Sequence, residues 1–432
     1  MTRPAAIICL SRAAYYNGDR LRRRFFPPQN HALPDEIMKL CQKSIGPLAV
    51  AALACLIASP AFGAEKSKAV GDKELAQSLE ALLAVKTKGV GNVAASEAWQ
   101  TVAAAAPNQL TSVLAAMDKA DPLAANWIAA AVETIADRQL KQGKLPGDKL
   151  EAFVLDTQHA PPARRLAFEW LVQGDKTAAD RLTPGFLYDP SPELRRDAVA
   201  RLIDEADALL KAEQSDKAHK VYDKALSGAC DLDQVKKLKA ALEKLGEKVD
   251  LQRHFGFITH WKLIGPFDNT DEKALDVAYP PEQSIDLAAE YEGKPNDGKP
   301  QTVQWIDYAT SDDYGVVDLN KALLKANGVT AYAWGEFESP ASGAAEVRVG
   351  SANAAKIWLN GKLVHTHAVY HSGSNMDQYS APVELKQGRN TLLVKILQNE
   401  QKEDWAQTWD FQLRICDSTG AAIKSETAES GK

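Results

Sequence analysis

From Lys73 to about Val249 the apolar residues recur with a helical period. Leu75, Leu79, Leu82 and Leu83 fall at i, i+4, i+7 and i+8, and Leu110, Val113, Leu114 and Met117 again fall on one helical face, at i, i+3, i+4 and i+7. After residue 250 the period changes: alternation replaces the helical spacing, alanine falls, and tryptophan, glycine and β-branched residues rise. Trp261–Phe267 opens this half. Short strands are predicted at Ala331–Phe337, Ala345–Gly350, Ala355–Leu359, Lys362–His365, Pro382–Leu385, Asn390–Ile396 and Trp409–Ile415. The chain therefore reads as a multidomain α-then-β protein, an α-helical repeat or solenoid domain over residues 64–250 and an antiparallel jelly-roll β-sandwich over 251–425.

Within the helical half, Asp121–Val132, Ala160–Leu171 and Asp189–Ile203 each begin with a proline turn, continue with a polar pair, and run into small or apolar residues. The polar pairs begin at Asn126, Arg164 and Arg195, 38 and 31 residues apart. Proline is tolerated in a first helical turn because its missing N–H would have no partner there. This pattern resembles HEAT-type helical repeats, in which stacked helix pairs form a curved solenoid; a non-repeating helical bundle is the alternative. Asp216–Leu226 followed by Asp231–Leu242, closed by Gly246, reads as one more helical hairpin whose lysine-rich stripe is a solvated face.

In the second half, Asn360-Gly361 between two strands predicts a type I′ hairpin, which needs two residues that tolerate positive φ. The register that follows pairs Leu359 with Lys362, Trp358 with Leu363, Ile357 with Val364 and Lys356 with His365. Ile357, Leu359 and Val364 then share a core face, while Trp358, Leu363, Lys356 and His365 share the other.

Composition narrows the partners. The 432 residues carry 51 Lys+Arg against 57 Asp+Glu, with 45% hydrophobic and 25% charged residues. That is globular composition, neither collagenous nor disordered, without the basic surplus that nucleic acid would require. At Met38 begins a secretory pattern: two lysines, the apolar run Leu48–Ala58, then Pro60-Ala61-Phe62-Gly63 before Ala64. The expected organisation is a mis-assigned start over 1–37, a signal peptide over 38–63, and a disordered tail over 426–432. Removing residues 1–63, which hold eight Lys/Arg and three Asp/Glu, takes the formal charge from −6 to −11. An exported protein in the periplasm, envelope or medium, without a membrane span in the mature chain, is the expectation. Of the five cysteines only Cys230 and Cys416 lie outside the removed segment, in different predicted domains. Two buried thiols are favoured over an interdomain disulfide.

Gly350–Val364 and Leu385–Lys395 resemble a galactose-binding-type (carbohydrate-binding) β-sandwich. Together with Trp261…Gly265-Pro-Phe, Tyr279-Pro-Pro-Glu and Asn399-Glu-Gln…Trp405…Cys416-Asp, the chain over residues 215–420 resembles an uncharacterised exported bacterial protein family with HEAT-like repeats ahead of such a sandwich. That resemblance implies architecture and export and brings no activity. Lectin-like relatives carry an acidic pair that holds calcium where this chain has Ala352-Asn353, so a calcium-dependent sugar site does not carry over.

The candidate chemistry is aromatic. Trp334, Trp358, Tyr370, Trp405 and Trp409 present faces suited to the C–H face of a pyranose, with Trp358 and Trp405 the expected exposed pair. His365, His367 and His371 form a weak candidate zinc set with Asp377 nearby. Asp312-Asp313 and Glu403-Asp404 offer carboxylates of the kind common in turns. No Gly-x-Ser-x-Gly, His-Glu-x-x-His, P-loop or dinucleotide fingerprint occurs. The expected function is a non-catalytic, cofactor-free exported scaffold, its helices docking protein partners and its sandwich binding glycan or envelope material. The alternatives are a metal-dependent or polysaccharide-processing accessory enzyme centred on the histidines, and a structural envelope protein.

Overall fold

Proline and alanine set the helical half. The computed structural model describes residues 70–295 and 298–425; the expected mis-assigned start, signal peptide and tail lie outside the described residues. Helices α1 (Asp72–Leu83), α2 (Asn92–Ala103), α3 (Leu110–Ala115), α4 (Pro122–Lys141), α5 (Gly147–Leu155) and α6 (Pro161–Gly174) come first. They are followed by α7 (Ala178–Leu182), α8 (Pro192–Lys211), α9 (Ser215–Gly228), α10 (Leu232–Lys244) and α11 (Leu251–Phe255). The three expected proline turns start α4, α6 and α8, each with proline in the first turn. Fully buried alanines such as Ala131, Ala163 and Ala206 let neighbouring helices approach closely. Leu75, Leu79, Leu110, Val113, Leu114 and Met117 all face this core, as their spacing predicts.

Arginines on one helix hold the start of a later one. Arg164 on α6 is 1% exposed and makes two 2.7 Å bonds to the Asp189 carboxylate, just ahead of α8. Its Nε–H donates to the Val154 carbonyl at the end of α5. Arg195 on α8 donates to the Asp189 carbonyl and to Cys230 Sγ, and Arg196 donates to Asp231 and Asp233 at the start of α10. Asp118 repeats the device at the start of α6, accepting from the Ala160 N–H and bonding His159 Nδ1.

The second half is an antiparallel sandwich. Its strands are β1 (His260–Asp268), β2 (Glu290–Glu292), β3 (Thr302–Gln304), β4 (Ile306–Ala309), β5 (Val317–Asp318) and β6 (Val329–Ser339). Then come β7 (Gly343–Ser351), β8 (Ala355–Leu359), β9 (Lys362–His367), β10 (Tyr379–Leu385), β11 (Gly388–Gln398) and β12 (Asp410–Cys416). A six-stranded sheet in the order β4-β1-β6-β11-β8-β9 faces a four-stranded sheet in the order β10-β7-β12-β5. Alternation puts Ala333, Ile357, Leu392 and Val394 of the first sheet against Val347, Phe411, Leu413 and Ile415 of the second. The segment between β1 and β4, with helix α12 (Pro280–Gln283) and the β2-β3 ribbon, covers the outer face of the larger sheet; α13 (Leu319–Ala322) follows β5. There Lys395 is fully buried, donating to the Val277 carbonyl and to Glu282 Oε1 at 2.6 Å.

The two halves join through α11. Phe255 packs in the helical core, Ile258 in the sandwich core, and the Ile258 N–H donates to the Leu413 carbonyl. Arg414 on β12, 1% exposed, lies over the Phe255 ring and bonds the Phe255 carbonyl and Asp377. Cys416 is buried, Cys230 is half-buried, and both are free thiols; the expectation that both are buried is thus corrected for Cys230, which reaches toward Arg195. Among the described residues no helix is long and apolar enough to cross a membrane.

The Asn360-Gly361 turn takes the expected positive φ values of 51° and 78°. Leu359 pairs with Lys362 and Trp358 with Leu363, but a bulge then shifts the register. Ile357 pairs with His365 and Lys356 with Thr366, so Val364 is the extra residue. This corrects the sequence-derived register. His365 joins Val364 on the core side of the sheet, where it and His367 meet the Tyr379 ring from the opposite sheet.

Candidate ligand-binding site at the loop end of the sandwich

The five aromatic candidates separate into three places. Trp409 is 0% exposed between the sheets, its indole N–H donating to the Ile396 carbonyl, so it has no face to offer a ligand. Its candidacy is therefore corrected. Trp334 and Trp358 flank Leu393 on the outer face of the six-stranded sheet, where register brings them into one row. Both are half-buried under the β1–β4 segment, and the Arg389 guanidinium lies 6.0 Å from the Trp334 ring. Trp358, expected to be open, is thus partly covered. Tyr370 and Trp405 each meet the His371 ring at the loop end, and Trp405 is 63% exposed.

Buried amides build this end. Asn353, 0% exposed after β7, donates to Gln398 Oε1 and to the Thr408 carbonyl and accepts the His371 N–H. Asn269, also 0% exposed, donates to the Gln398 carbonyl and to the Tyr370 hydroxyl, and accepts the Ala274 N–H. Gln398 donates to the Ala406 carbonyl beneath Trp405 in the chain. Neutral amides can each donate and accept, so four loops are fastened without burying a charge.

On this base sits the open part. Asn399 Oδ1 accepts the Gln401 N–H, which fixes the amide's orientation, so His371 Nε2–H is the donor in its 2.9 Å bond to the same oxygen. The His371 ring meets Trp405 edge-on with centroids 5.4 Å apart, holding the indole upright. Asn399 Nδ2 donates to Glu272, and Glu400 accepts the Asp271 N–H. Glu272, Asn399, Glu400, Gln401, Lys402 and Glu403 line a shallow depression of about 600 Å³. Asp271, Glu272 and His371 hold left-handed φ values of 56–57°, a conformation that costs non-glycine residues of order 1–3 kcal/mol each and collects at functional sites. Burial pushes the Tyr370 phenol up to about 12, so it remains a neutral hydroxyl.

The histidines do not converge on a metal. His365 Nε2 and His367 Nδ1 lie 2.9 Å apart, and His367 Nε2 lies 2.9 Å from the Asn353 carbonyl. The carbonyl only accepts, so His367 Nε2–H donates to it and His367 Nδ1 accepts from His365. Burial brings His367 down to about 4 and also lowers His365, so this chain of imidazoles is neutral near pH 7. His371 belongs to the loop-end cluster instead. Among the described residues no group of three or more His, Cys, Asp or Glu is placed to hold a metal ion.

Asp377, the nearby carboxylate, pairs with Arg414 and Arg348. Asp312 accepts the Tyr314 and Val316 N–H groups of its own turn, and Glu403 that of Lys402. A second depression, of about 390 Å³ on the helical half, is lined by Ser112, Lys149, Phe153 and His159 among others and presents no exposed aromatic face. Sequence reasoning missed Asn269, Glu272, Asn353, Gln398 and Asn399. The one available signal is the abrupt end of the apolar β11 run in Gln398-Asn399.

No family model matches the chain, and no curated protein does. Among solved structures, an anti-sigma factor domain-containing protein aligns with TM-score 0.23 and 11% identity over 39% of this chain and 46% of that one. A family 35 carbohydrate binding module from Clostridium thermocellum aligns with TM-score 0.15 and 15% identity, over 21% of this chain and 72% of the module. The PA14 domain of the MpAFP antifreeze protein gives TM-score 0.21 and 11% identity, over 40% and 87%. The chain thus spans under half the length of the first of these. Likenesses at this level fix neither ligand nor activity.

Proposed function

We propose that this is an exported, non-catalytic binding protein whose sandwich holds carbohydrate at the loop end. The observation that carries the reading is Trp405, a 63% exposed indole braced by His371 beside a depression of amides and carboxylates. An aromatic face matches the apolar C–H face of a sugar ring, and Asn399, Gln401 and Glu272 would bond its hydroxyls. No cofactor is required. The helical half, read as HEAT-type repeats, would dock a protein partner; the exposed Val90 and Val93 supply apolar surface there.

The test is affinity electrophoresis and a glycan array with the full chain and Trp405→Ala. Loss of a stacking anchor costs on the order of 2 kcal/mol, so the variant is expected to bind about 30-fold more weakly with its melting temperature unchanged. Binding that survives Trp405→Ala unchanged, or a wild type that retains no glycan, would reject the loop end as the site.

A further inference from the structure

Among the described residues seven buried side-chain polar atoms lack a hydrogen-bond partner, and three are the oxygens Asp410 Oδ1, Gln412 Oε1 and Ser374 Oγ. Asp410 and Gln412 stand two residues apart on the outer face of the four-stranded sheet, and Ser374 lies beside Asp410. Along β12, Phe411, Leu413 and Ile415 enter the core, so Asp410, Gln412 and Arg414 form the opposite row. The segment 374–377 follows that row. The Ser374 hydroxyl and the Ala352 N–H both lie near enough to Asp410 to favour its charged form, although Asp410 Oδ1 and Ser374 Oγ make no well-formed hydrogen bond. The Asn375 carbonyl crosses Gly350, the register partner of Gln412: a Cβ on that glycine would stand 2.2 Å from the Asn375 oxygen and 3.1 Å from Gln412 Cγ. Asp377 completes the row with a 2.7 Å bond from Arg414 Nε.

One rung of this ladder is therefore a filled ion pair, while the two before it present unpartnered oxygens. Gln412 is 6% exposed, and leaving its carbonyl oxygen unpaired would cost about 1–3 kcal/mol. A carboxylate, an amide oxygen, a hydroxyl and a main-chain carbonyl, with no nitrogen or sulfur, are the donors that a hard cation takes. The surroundings are negative as well: Asp318 is the cross-strand partner of Asp410, and burial, Asp318 and Asp312 together hold the Asp410 carboxyl above its ordinary value. With a single carboxylate the site falls outside any cluster of acids and histidines.

We propose that Asp410, Gln412 and Ser374, with the Asn375 carbonyl, bind a hard cation such as calcium that clamps the 372–378 segment onto β12. The inference is independent of the sugar reading. The clamped segment starts beside His371, which braces Trp405, and carries Met376 and Asp377, which contact the helical core and Arg414. Bound cation would thus stiffen both the loop end and the junction of the two halves.

The test titrates calcium chloride into the full chain after EDTA treatment, following heat and melting temperature. One carboxylate implies a dissociation constant of about 0.1–1 mM and a rise of a few degrees at about 10 mM calcium. Gln412→Glu adds a second carboxylate at the same place and is expected to tighten binding at least about tenfold, a gain that misfolding cannot imitate. Asp410→Asn is expected to abolish it. Absence of calcium-dependent heat and stabilisation in both wild type and Gln412→Glu would overturn the site, leaving the Gln412 amide hydrogens facing Asp410. Undiminished binding in Asp410→Asn would overturn it too, placing the cation elsewhere, as at the Glu272–Glu400–Glu403 rim.

Discussion

The helical half and the loop end of the sandwich solve the same problem with different chemistry. Both must satisfy polar backbone where one element stops and another begins. In the helical half the fasteners are ions: Arg164 to Asp189 across 25 residues, Arg196 to Asp231 across 35. At the loop end they are neutral: Asn269 to Gln398 across 129 residues, Asn353 to Thr408 across 55, with His367 held uncharged beside them. A stack of helices brings each helix start against its near neighbour, so one charged pair repeated at short range suffices. Four loops closing over a sandwich come from remote parts of the chain, and an amide that donates and accepts at once can serve several of them without the cost of burying charge. The open indole of Trp405 stands above this neutral base, braced by His371.

The sharpest way to break this comparison is Arg164→Ala. It would leave the Asp189 carboxylate buried and without its partner, and uncompensated buried charges cost about 3–5 kcal/mol. The helical signal should melt at a much lower temperature, while replacing both members of the pair with apolar residues should recover most of the loss. A drop equivalent to less than about 1 kcal/mol would mean that the ladder merely decorates a fold held by its alanines.

These two constructions were also unequally legible in the sequence. The period of Leu75, Leu79 and Leu82, the proline starts of α4, α6 and α8, and the Asn360-Gly361 corner are local signals, and local geometry obeys them. The partition into helices and then an antiparallel sandwich follows. Even the arginines were visible as polar pairs, though not their partners. The bulge at Val364 was not legible, because an extra residue leaves the alternation on both sides intact; one residue of slip moved His365 to the core side. Nor was the convergence of Asn269, Asn353, His371 and Asn399, whose segments approach only once both sheets have formed. Trp405 and Trp409, four residues apart, ended as the most exposed and one of the most buried tryptophans because a short 3₁₀ turn over Asp404–Ala406 separates loop from strand.

Acid separates the two regions next. In the unfolded chain His367 protonates near pH 6.5, but in the fold burial keeps it neutral down to about 4. Its contribution is whole above pH 6.5 and is lost progressively as pH falls toward 4, up to about 3 kcal/mol. The Arg196–Asp233 pair of the helical half should be little changed across most of that window, since the hydrogen bond from the Arg196 guanidinium holds the Asp233 carboxyl below its ordinary value. Stability measured by denaturant titration should therefore fall from pH 6.5 to 4 with a slope that His367→Gln flattens, the amide still able to donate to the Asn353 carbonyl. Parallel curves for the two proteins would show that His367 is not the titrating group.

The smallest effect sharpens the comparison most, because it separates buried ions from exposed ones within the helical half itself. Arg196 makes more bonds to carboxylates than Arg164 does, reaching both Asp231 and Asp233, and these pairs raise its already high pKa. Yet Arg196 and Asp231 are each 42% exposed and Asp233 is 65% exposed, so water competes for every one of those bonds. Exposed pairs contribute about 0–1 kcal/mol, and salt near 1 M shortens the reach of charge to about 3 Å. Arg196→Ala should accordingly cost no more than about 1 kcal/mol at low salt and nearly nothing at 1 M sodium chloride, whereas the loss in Arg164→Ala should persist at both. The Gln234 amide still donates to the residue 196 carbonyl in the variant, so the packing of α8 on α10 keeps its uncharged tie. Melting curves of the two variants at both salt concentrations decide the matter: equal or salt-independent losses would mean that burial does not govern what each rung contributes.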